Sequence, residues 1–489
     1  MDREKPFLRF FAGLSAAFMW SACAEIARAS DNNPSPLREC RIAGVDEPVR
    51  CGEIRVPENP DTPDGRIISL NIVVLPALNP GSGNDPWVEL VGGPGNAATD
   101  FAASYAREWK GFRAQRDVVL IDQRGTGRSN ALYCEELALH RVSSLFPRWP
   151  AGAVRSCRKK LLAFANLAQY STQNAARDID IVREQLGYER LNLFASSYGT
   201  RLALEYMRLF PDSVRSAILW GVVAPDFRRP LFYGRDGEQA LGRLFDDCLA
   251  DPPCAAAFPY PRNDLAAAFR AIDDRKLKFD IVDPSTGTAR KVAMSNAGFA
   301  QGLWVALSVP AQARQLPYVI HKAAQGDFAP FLALDVATKP PRRRYHNGMH
   351  LSVACPEETA HMSQEDLVRA YENTFMPLDR AREYGKACRI WEIAPSNEAT
   401  LEQVRASIPT LIVSGYMDPI TPPSWGEAAS EGLEGSRHIV VRHLSHESDG
   451  LSGAECLDAL FLAFVADPDP ESLDAGCVEM IGPPPFRIE

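Results

Sequence analysis

From residue 66 to residue 222 the chain alternates short β-rich runs with helical stretches, and this alternation narrows the fold more than any other feature. Arg66 to Leu75, Trp87 to Val91, Val118 to Ile121, Leu191 to Phe194 and Ala217 to Val222 read as strands, the later ones buried and each with a Gly, Pro or Asp within the next few residues. Between them, Ala175 to Leu186 and Thr200 to Phe210 carry apolar residues at three- and four-residue spacing, the period of a helix packed on one face. Strands alternating with helices argue for a mainly parallel sheet covered by helices on both faces. From about Pro225 to Arg344 the pattern changes to helical segments punctuated by proline, with no series of strands. Strands return at Thr410 to Ser414 and His438 to Val441, and a helix follows from about Ala454 to Val465. The expected organisation is a first core segment over 30–225, a helical cap insertion over 226–350, and completion of the core over 351–489, with 345–405 assignable to either part.

The strand Leu191 to Phe194 runs directly into Ala195-Ser196-Ser197-Tyr198-Gly199 and then a helix. A serine at such a strand-to-helix turn sits on sharply bent backbone that pushes its hydroxyl out of the sheet, as a nucleophile requires. The residues two before and two after it must be small. Ser197, flanked by Ala195 and Gly199, meets that condition, whereas Ser196 would bring Phe194 and Tyr198 into collision. Gly92-Gly93-Pro94-Gly95 follows the strand ending at Val91, and its backbone is free to approach a ligand closely. Attack on a carbonyl creates an oxyanion that fixed N–H donors stabilise; the candidates are the amides of Gly93 and Tyr198, since Pro94 has none to offer. A third segment, Asp122-Gln123-Arg124-Gly125-Thr126-Gly127-Arg128-Ser129, lacks the lysine and spacing of a phosphate-binding loop. It reads as a structured turn whose Asp122 and Arg124 bond neighbouring loops, the Gly92–Gly95 loop among them.

An acid and a base have to follow the nucleophile in that order in a fold of this kind. Ile412 to Asp418 is a buried strand that breaks at Gly415 and then presents a carboxylate, so Asp418 is the candidate acid. Three of the eight histidines follow it: His438 opens a strand, His443 lies at a strand end, and His446 occupies the polar loop Ser445 to Gly450. A base must reach back to the nucleophile from a loop, so His446 is preferred and His443 is the runner-up.

The first residues, with Arg3, Lys5 and Arg9 before an uncharged run from Phe10 to Trp20 and Ala27-Arg28-Ala29 before Ser30, fit a signal peptide over 1–29. Lipidation at Cys23 fits less well, because Trp20 stands three residues before it. No other stretch is apolar enough to span a membrane, so the expectation after signal removal is an exported protein, periplasmic or secreted. Ten of the eleven cysteines lie beyond this segment, and pairing neighbours as Cys40/Cys51, Cys134/Cys157, Cys248/Cys254, Cys355/Cys388 and Cys456/Cys477 closes the shortest loops. An even number of such residues suits an oxidising compartment, and none of the spacings forms a zinc knuckle. The net charge of −9 gives no basic face for nucleic acid, and the run Lys339, Arg342, Arg343, Arg344 reads as a solvated loop. Neither a metal nor an organic cofactor is called for.

Taken together, Gly92-Gly93-Pro94-Gly95, Asp122 to Gly127, Ser197-Tyr198-Gly199-Thr200 and Asp418-x-x-Thr421-Pro422 resemble the proline iminopeptidase and tripeptidyl-aminopeptidase group of α/β hydrolases. The resemblance extends to Cys40 through Cys51-Gly52, to Ser352-Val353-Ala354-Cys355 and to the Cys456/Cys477 pair found in the exported tripeptidyl-aminopeptidase branch. It implies an α/β-hydrolase fold with an inserted helical cap, and a peptidase that removes residues from a free N-terminus of a peptide. It carries nucleophile, acid and base to Ser197, Asp418 and His446. The departures are Ala195 where the family has Gly, and the lack of a Gly beside His446. An exopeptidase must also hold a cationic amino terminus, and Glu357 and Glu358, just after Cys355, are candidates by position. Two other readings compete: a carboxylesterase or lipase acting on a small-molecule ester with the same three residues, and a catalytically inactive binding protein on the same fold.

Overall fold

In the computed structural model, which describes residues 35–81, 85–138, 143–282, 287–335 and 344–489, a sheet of nine strands forms the centre of the molecule. The expected signal segment, its cleavage site and Cys23 lie outside the described residues, as do Lys339, Arg342 and Arg343. Two strands precede the first one expected from the sequence: β1 (Leu37–Cys40) and β2 (Val49–Pro57), which pair antiparallel, with β2 antiparallel to β3 (Ile67–Leu75). β1 is the edge strand and β2 its neighbour; both are of mixed burial, so their apolar residues do not form a continuous run. Next come β4 (Trp87–Leu90), β5 (Val118–Ile121), β6 (Leu191–Ser196) and β7 (Val214–Trp220), then, after a long insertion that holds the short strands β8 (Lys278–Val282) and β9 (Ala289–Ala293), β10 (Thr410–Gly415) and β11 (Ser436–Val441). Across the sheet the order is β1-β2-β3-β5-β4-β6-β7-β10-β11, and every pairing from β5 to β11 is parallel.

Helices crossing back between parallel strands cover both faces, so the central strands are buried throughout. All residues of β4, β5 and β10 are buried, which is why they read as mainly apolar runs, broken in β4 by Glu89. On one face the helices Thr172–Gln185, Tyr198–Leu209 and Pro423–Ser430 pack over Val88, Leu90, Leu193 and Ile412. On the other, Ala102–Ala106 and Glu455–Ala466 cover Trp87, Leu120, Ile218 and Val413. Strand β7 starts earlier than its apolar residues suggest and stops at Trp220, because Gly221 turns to φ +61° and takes the chain off the sheet.

The segment between β7 and β10 is helical and has its own apolar core, built around Leu241, Phe245, Phe299, Leu303 and Ile320. It differs from expectation in two respects. It contains a small antiparallel hairpin, β8 (Lys278–Val282) and β9 (Ala289–Ala293), whose mostly exposed residues give no apolar alternation to read. It also extends further. A boundary at 350 falls inside the helix Asn347–Glu357, and helices continue to Trp391 before β10 returns to the sheet. The ten described cysteines are bonded as Cys40–Cys51, Cys134–Cys157, Cys248–Cys254, Cys355–Cys388 and Cys456–Cys477, all between sequence neighbours.

Candidate active site

The parallel strands end at one edge of the sheet, and the loops that leave them converge there. At the end of β6, Ser197 adopts φ +53° and ψ −125°, a conformation that an L-residue holds only under constraint from its neighbours. The constraint is visible: Ser197 N–H donates to Trp220 O at 2.9 Å, and Thr200 Oγ1 donates to Ser197 O at 2.6 Å. The need for a glycine two residues on has a specific cause. A Cβ at Gly199 would fall 1.8 Å from Leu90 O, so the helix can start only by pressing its backbone onto the end of β4. Gly92 is equally required, since a Cβ there would lie 2.8 Å from that of Ser197. The Gly92–Gly95 loop therefore lies against the serine, with Gly93 at φ +130°.

Asp418 leaves the end of β10 fully buried and His446 leaves the loop after β11, and the two meet: His446 Nδ1 is 2.8 Å from Asp418 Oδ2. The carboxylate is held on both oxygens. Oδ1 accepts from the amides of Ile420 at 2.7 Å and Thr421 at 3.0 Å, and Oδ2 accepts from Thr421 Oγ1 at 2.7 Å. Burial alone would raise the Asp418 pKa, but the imidazole and these donors bring it below the ordinary carboxylate value. The counterpart holds for His446: burial disfavours its charged form, yet the Asp418 carboxylate, with a smaller contribution from Glu447, raises its pKa above 6.5. Gly221 packs against the pair, where a Cβ would lie 2.9 Å from Thr421 Oγ1 and 3.5 Å from His446 Cε1. His443 does not take part. It does not line the cavity at Ser197, and Asp418 is already bonded to His446. His438 bonds Ser414 Oγ at 2.8 Å and is structural.

Ser197, His446, Gly92 and Gly93 open onto a cavity of about 720 Å³ between the strand ends and the helical insertion. Arg148, Arg229 and Arg380 line its insertion side. Glu357 and Glu358 do not face it, which corrects their expected role. Glu357 accepts from Thr172 N–H at 2.7 Å and Thr172 Oγ1 at 2.6 Å. Glu358, fully buried, is paired with Arg201 at 3.2 Å and Arg229 at 3.5 Å. Both carboxylates are committed to the protein itself, and their place just after Cys355 gave no sign of that.

Their partners nevertheless bear on the site. The Tyr198 hydroxyl lies 2.9 Å from Thr172 Oγ1 and accepts from Gln123 Nε2 at 3.0 Å, so Glu357, Thr172 and Gln123 pin the residue after Ser197. Asp122 turns back to the chain that follows the Gly92–Gly95 loop, accepting from Thr99 N–H at 3.0 Å and Asn71 Nδ2 at 2.8 Å. Arg124 goes elsewhere, to both oxygens of Asp178 at 2.7 Å. His346 supports the loop from outside: its N–H donates to Gly95 O at 2.9 Å, and its Nδ1 lies 2.9 Å from the same oxygen. Neither His346 nor Thr172 carries a local sequence signal, because each acts through a partner distant in the chain.

The chain matches the family model described as alpha/beta hydrolase fold over residues 90–244 and the model described as TAP-like protein over 375–477. It is 24% identical over 458 residues to the serine protease Hip1 of Mycobacterium tuberculosis, covering 85% of this chain and 84% of that one. It is likewise 24% identical over 481 residues to the tripeptidyl aminopeptidase of Streptomyces coelicolor, covering 90% and 85%. A shorter match, 34% over 145 residues and 29% of each chain, is to the proline iminopeptidase of Aeromonas sobria. Sheet order and both family matches agree: the chain has the α/β-hydrolase fold with a TAP-like C-terminal region, and it is similar to serine peptidases and aminopeptidases built on that fold.

Proposed function

We propose that this protein is an exported serine aminopeptidase of the tripeptidyl-aminopeptidase or proline-iminopeptidase type, with Ser197 as nucleophile, His446 as base and Asp418 as the acid that orients it. The observation that carries the reading is the 2.8 Å contact of His446 Nδ1 with Asp418, at the mouth of the cavity onto which Ser197 opens. With Nδ1–H committed to the carboxylate, the lone pair of Nε2 is free to take the Ser197 proton as Oγ attacks the scissile carbonyl. The developing oxyanion is received by the amides of Gly93 and Tyr198. Collapse expels the amine with the proton from His446, and water releases the acyl group by the same steps in reverse. The five disulfides support an oxidising compartment and so export. Among the described residues, no helix is long and apolar enough to cross a membrane.

The test is hydrolysis of fluorogenic proline and tripeptide amides with free amino termini, beside their N-acetylated forms, with Ser197→Ala as control. Cleavage confined to free amines and lost in the variant is the expected result. Equal cleavage of blocked and free substrates, or of simple esters only, would move the protein to the carboxylesterases. A fluorophosphonate that fails to label Ser197 would instead favour an inactive binding protein.

A further inference from the structure

The cavity does not end at the reacting atoms. It continues past Ser196 along the face of β4 and β6 that carries Trp87 and Phe194, and there it meets carboxylates: Glu89 from β4, then Glu455 and Asp458 from the last helix. Glu89 is only 4% exposed, and the cavity beside it is lined by Trp87, Tyr105, Phe112, Phe194 and Phe461. A carboxylate in such surroundings needs partners to offset its lost hydration. One is the Tyr105 hydroxyl, which donates to Glu89 and accepts from Trp87 Nε1 at 2.8 Å. Burial and the Glu89 charge push that hydroxyl's pKa well above its usual value, so it remains a donor. Burial, with Glu455 beside it, also raises the Asp458 carboxyl above the ordinary range. Clustered negative charge walled by aromatic faces favours a bound ammonium, through both charge pairing and the ring quadrupoles.

Strand register supplies the spacing. Glu89 stands opposite Phe194 in the parallel pair of β4 and β6, and Ser197 is three residues further along. At the rise of a strand, that sets the Glu89 backbone about 10 Å behind that of Ser197 along the sheet. An extended tripeptide acyl group also measures about 10 Å from its α-amino nitrogen to its reacting carbonyl, whereas a single residue spans roughly 2.5 Å. A one-residue acyl group held at Ser197 could not reach Glu89.

We propose that Glu89, with Asp458 beside it, receives the N-terminal ammonium of the substrate, so that the enzyme removes residues three at a time. This rests on the aminopeptidase reading above and names the part of the site that measures the acyl group. The ammonium enters along the aromatic wall, the chain lies extended beneath Ser196, and the third carbonyl meets Ser197.

The experiment compares Ala-Ala-Ala-aminomethylcoumarin, its N-acetylated form and Ala-aminomethylcoumarin on the wild type, Glu89→Gln and Asp458→Asn. Fluorophosphonate labelling of Ser197 identifies folded variants. The wild type is expected to favour the free tripeptide over the acetylated one. Glu89→Gln should lower that ratio by about 10- to 100-fold, through KM rather than kcat, as for a lost charged hydrogen bond. An unchanged ratio in Glu89→Gln overturns the proposal while leaving the aminopeptidase reading intact, and so does a wild type that prefers Ala-aminomethylcoumarin. A wild type indifferent to acetylation removes both. Should Glu89→Gln fail to label, Asp458→Asn decides: a reduced ratio supports the seat, and an unchanged one sinks it.

Discussion

Glu357 offers a sharp check on the buried network behind Ser197, the proposed nucleophile. Its carboxyl is fully enclosed, and burial raises its pKa from 4.5 to about 7, although Arg201 and the two Thr172 donors pull the other way. In the unfolded chain the same group loses its proton near 4.5. Below that value both states are protonated and the group contributes no pH dependence. Between 4.5 and about 7 the unfolded state has released the proton and the folded state still holds it, so each rise in pH favours unfolding. At about 1.4 kcal/mol per pH unit, the loss across the window is about 3 kcal/mol, and the curve flattens above it. Glu357→Gln removes the titration while keeping an acceptor for Thr172 N–H and a donor for Thr172 Oγ1. Other carboxylates titrate in both proteins and cancel in the difference. Thermal unfolding of the two proteins from pH 4.5 to 8 should therefore show the variant gaining on the wild type by about 3 kcal/mol over that range. Parallel stability profiles would refute the argument, because Glu357 would then ionise in the folded protein as readily as in the unfolded chain.

The His446 pKa lies above 6.5, so the neutral base is depleted in mildly acidic solution; kcat/KM should rise with pH through an apparent pKa above that value, and pH–rate profiles measure it. Asp418→Asn leaves Nδ1 without its carboxylate and should lower kcat by about 10⁴-fold while fluorophosphonate labelling slows in step. Gly199→Ala drives a methyl group into Leu90 O and should give a protein that folds poorly or lacks activity, read by circular dichroism and ester turnover. Replacing both Cys355 and Cys388 by serine opens a link across 33 residues and should cost about 4 kcal/mol of stability, seen as a lower unfolding midpoint.

What could be read in advance divides along a physical line. Parallel strands buried on both faces write themselves into the sequence as apolar runs, and a strand-to-helix turn writes itself as small residues around a serine. The layout of β4 to β7, the turn at Ser197 and the approach of His446 to Asp418 were legible on that basis. Glu357 and Glu358 were not, because whether a carboxylate faces a cavity or a buried arginine is decided by tertiary neighbours such as Thr172 and Arg229. The outer strands β1 and β2 and the hairpin β8–β9 escaped for the complementary reason: they bury too little to impose a pattern. Glu89 did leave a trace that passed without notice, an acid in the middle of the buried run Trp87 to Val91. A charge interrupting such a run costs stability unless it has a use, and that makes it a reason to look for a ligand.

The helical insertion does more than cover the cavity, because the Gly92–Gly95 loop, proposed to receive the oxyanion, is held by it at two points. Arg229 donates to Gly93 O at 3.4 Å, and His346 donates to Gly95 O at 2.9 Å, so residues beyond β7 grip both sides of Pro94. Arg229 is itself fixed by Glu358, which also pairs with Arg201 on the helix that begins at Tyr198. One buried carboxylate thus joins the helix carrying one proposed oxyanion donor to the arginine that braces the loop carrying the other. Breaking a buried pair by removing one partner typically costs about 3–5 kcal/mol, because an uncompensated charge stays behind. Glu358→Gln should accordingly lower both stability and kcat, whereas a residue that only contacted substrate would raise KM and leave the unfolding midpoint in place. Measured together, the two readouts separate a brace from a binding group, and a KM effect alone would return Glu358 to the role its position in the sequence first suggested.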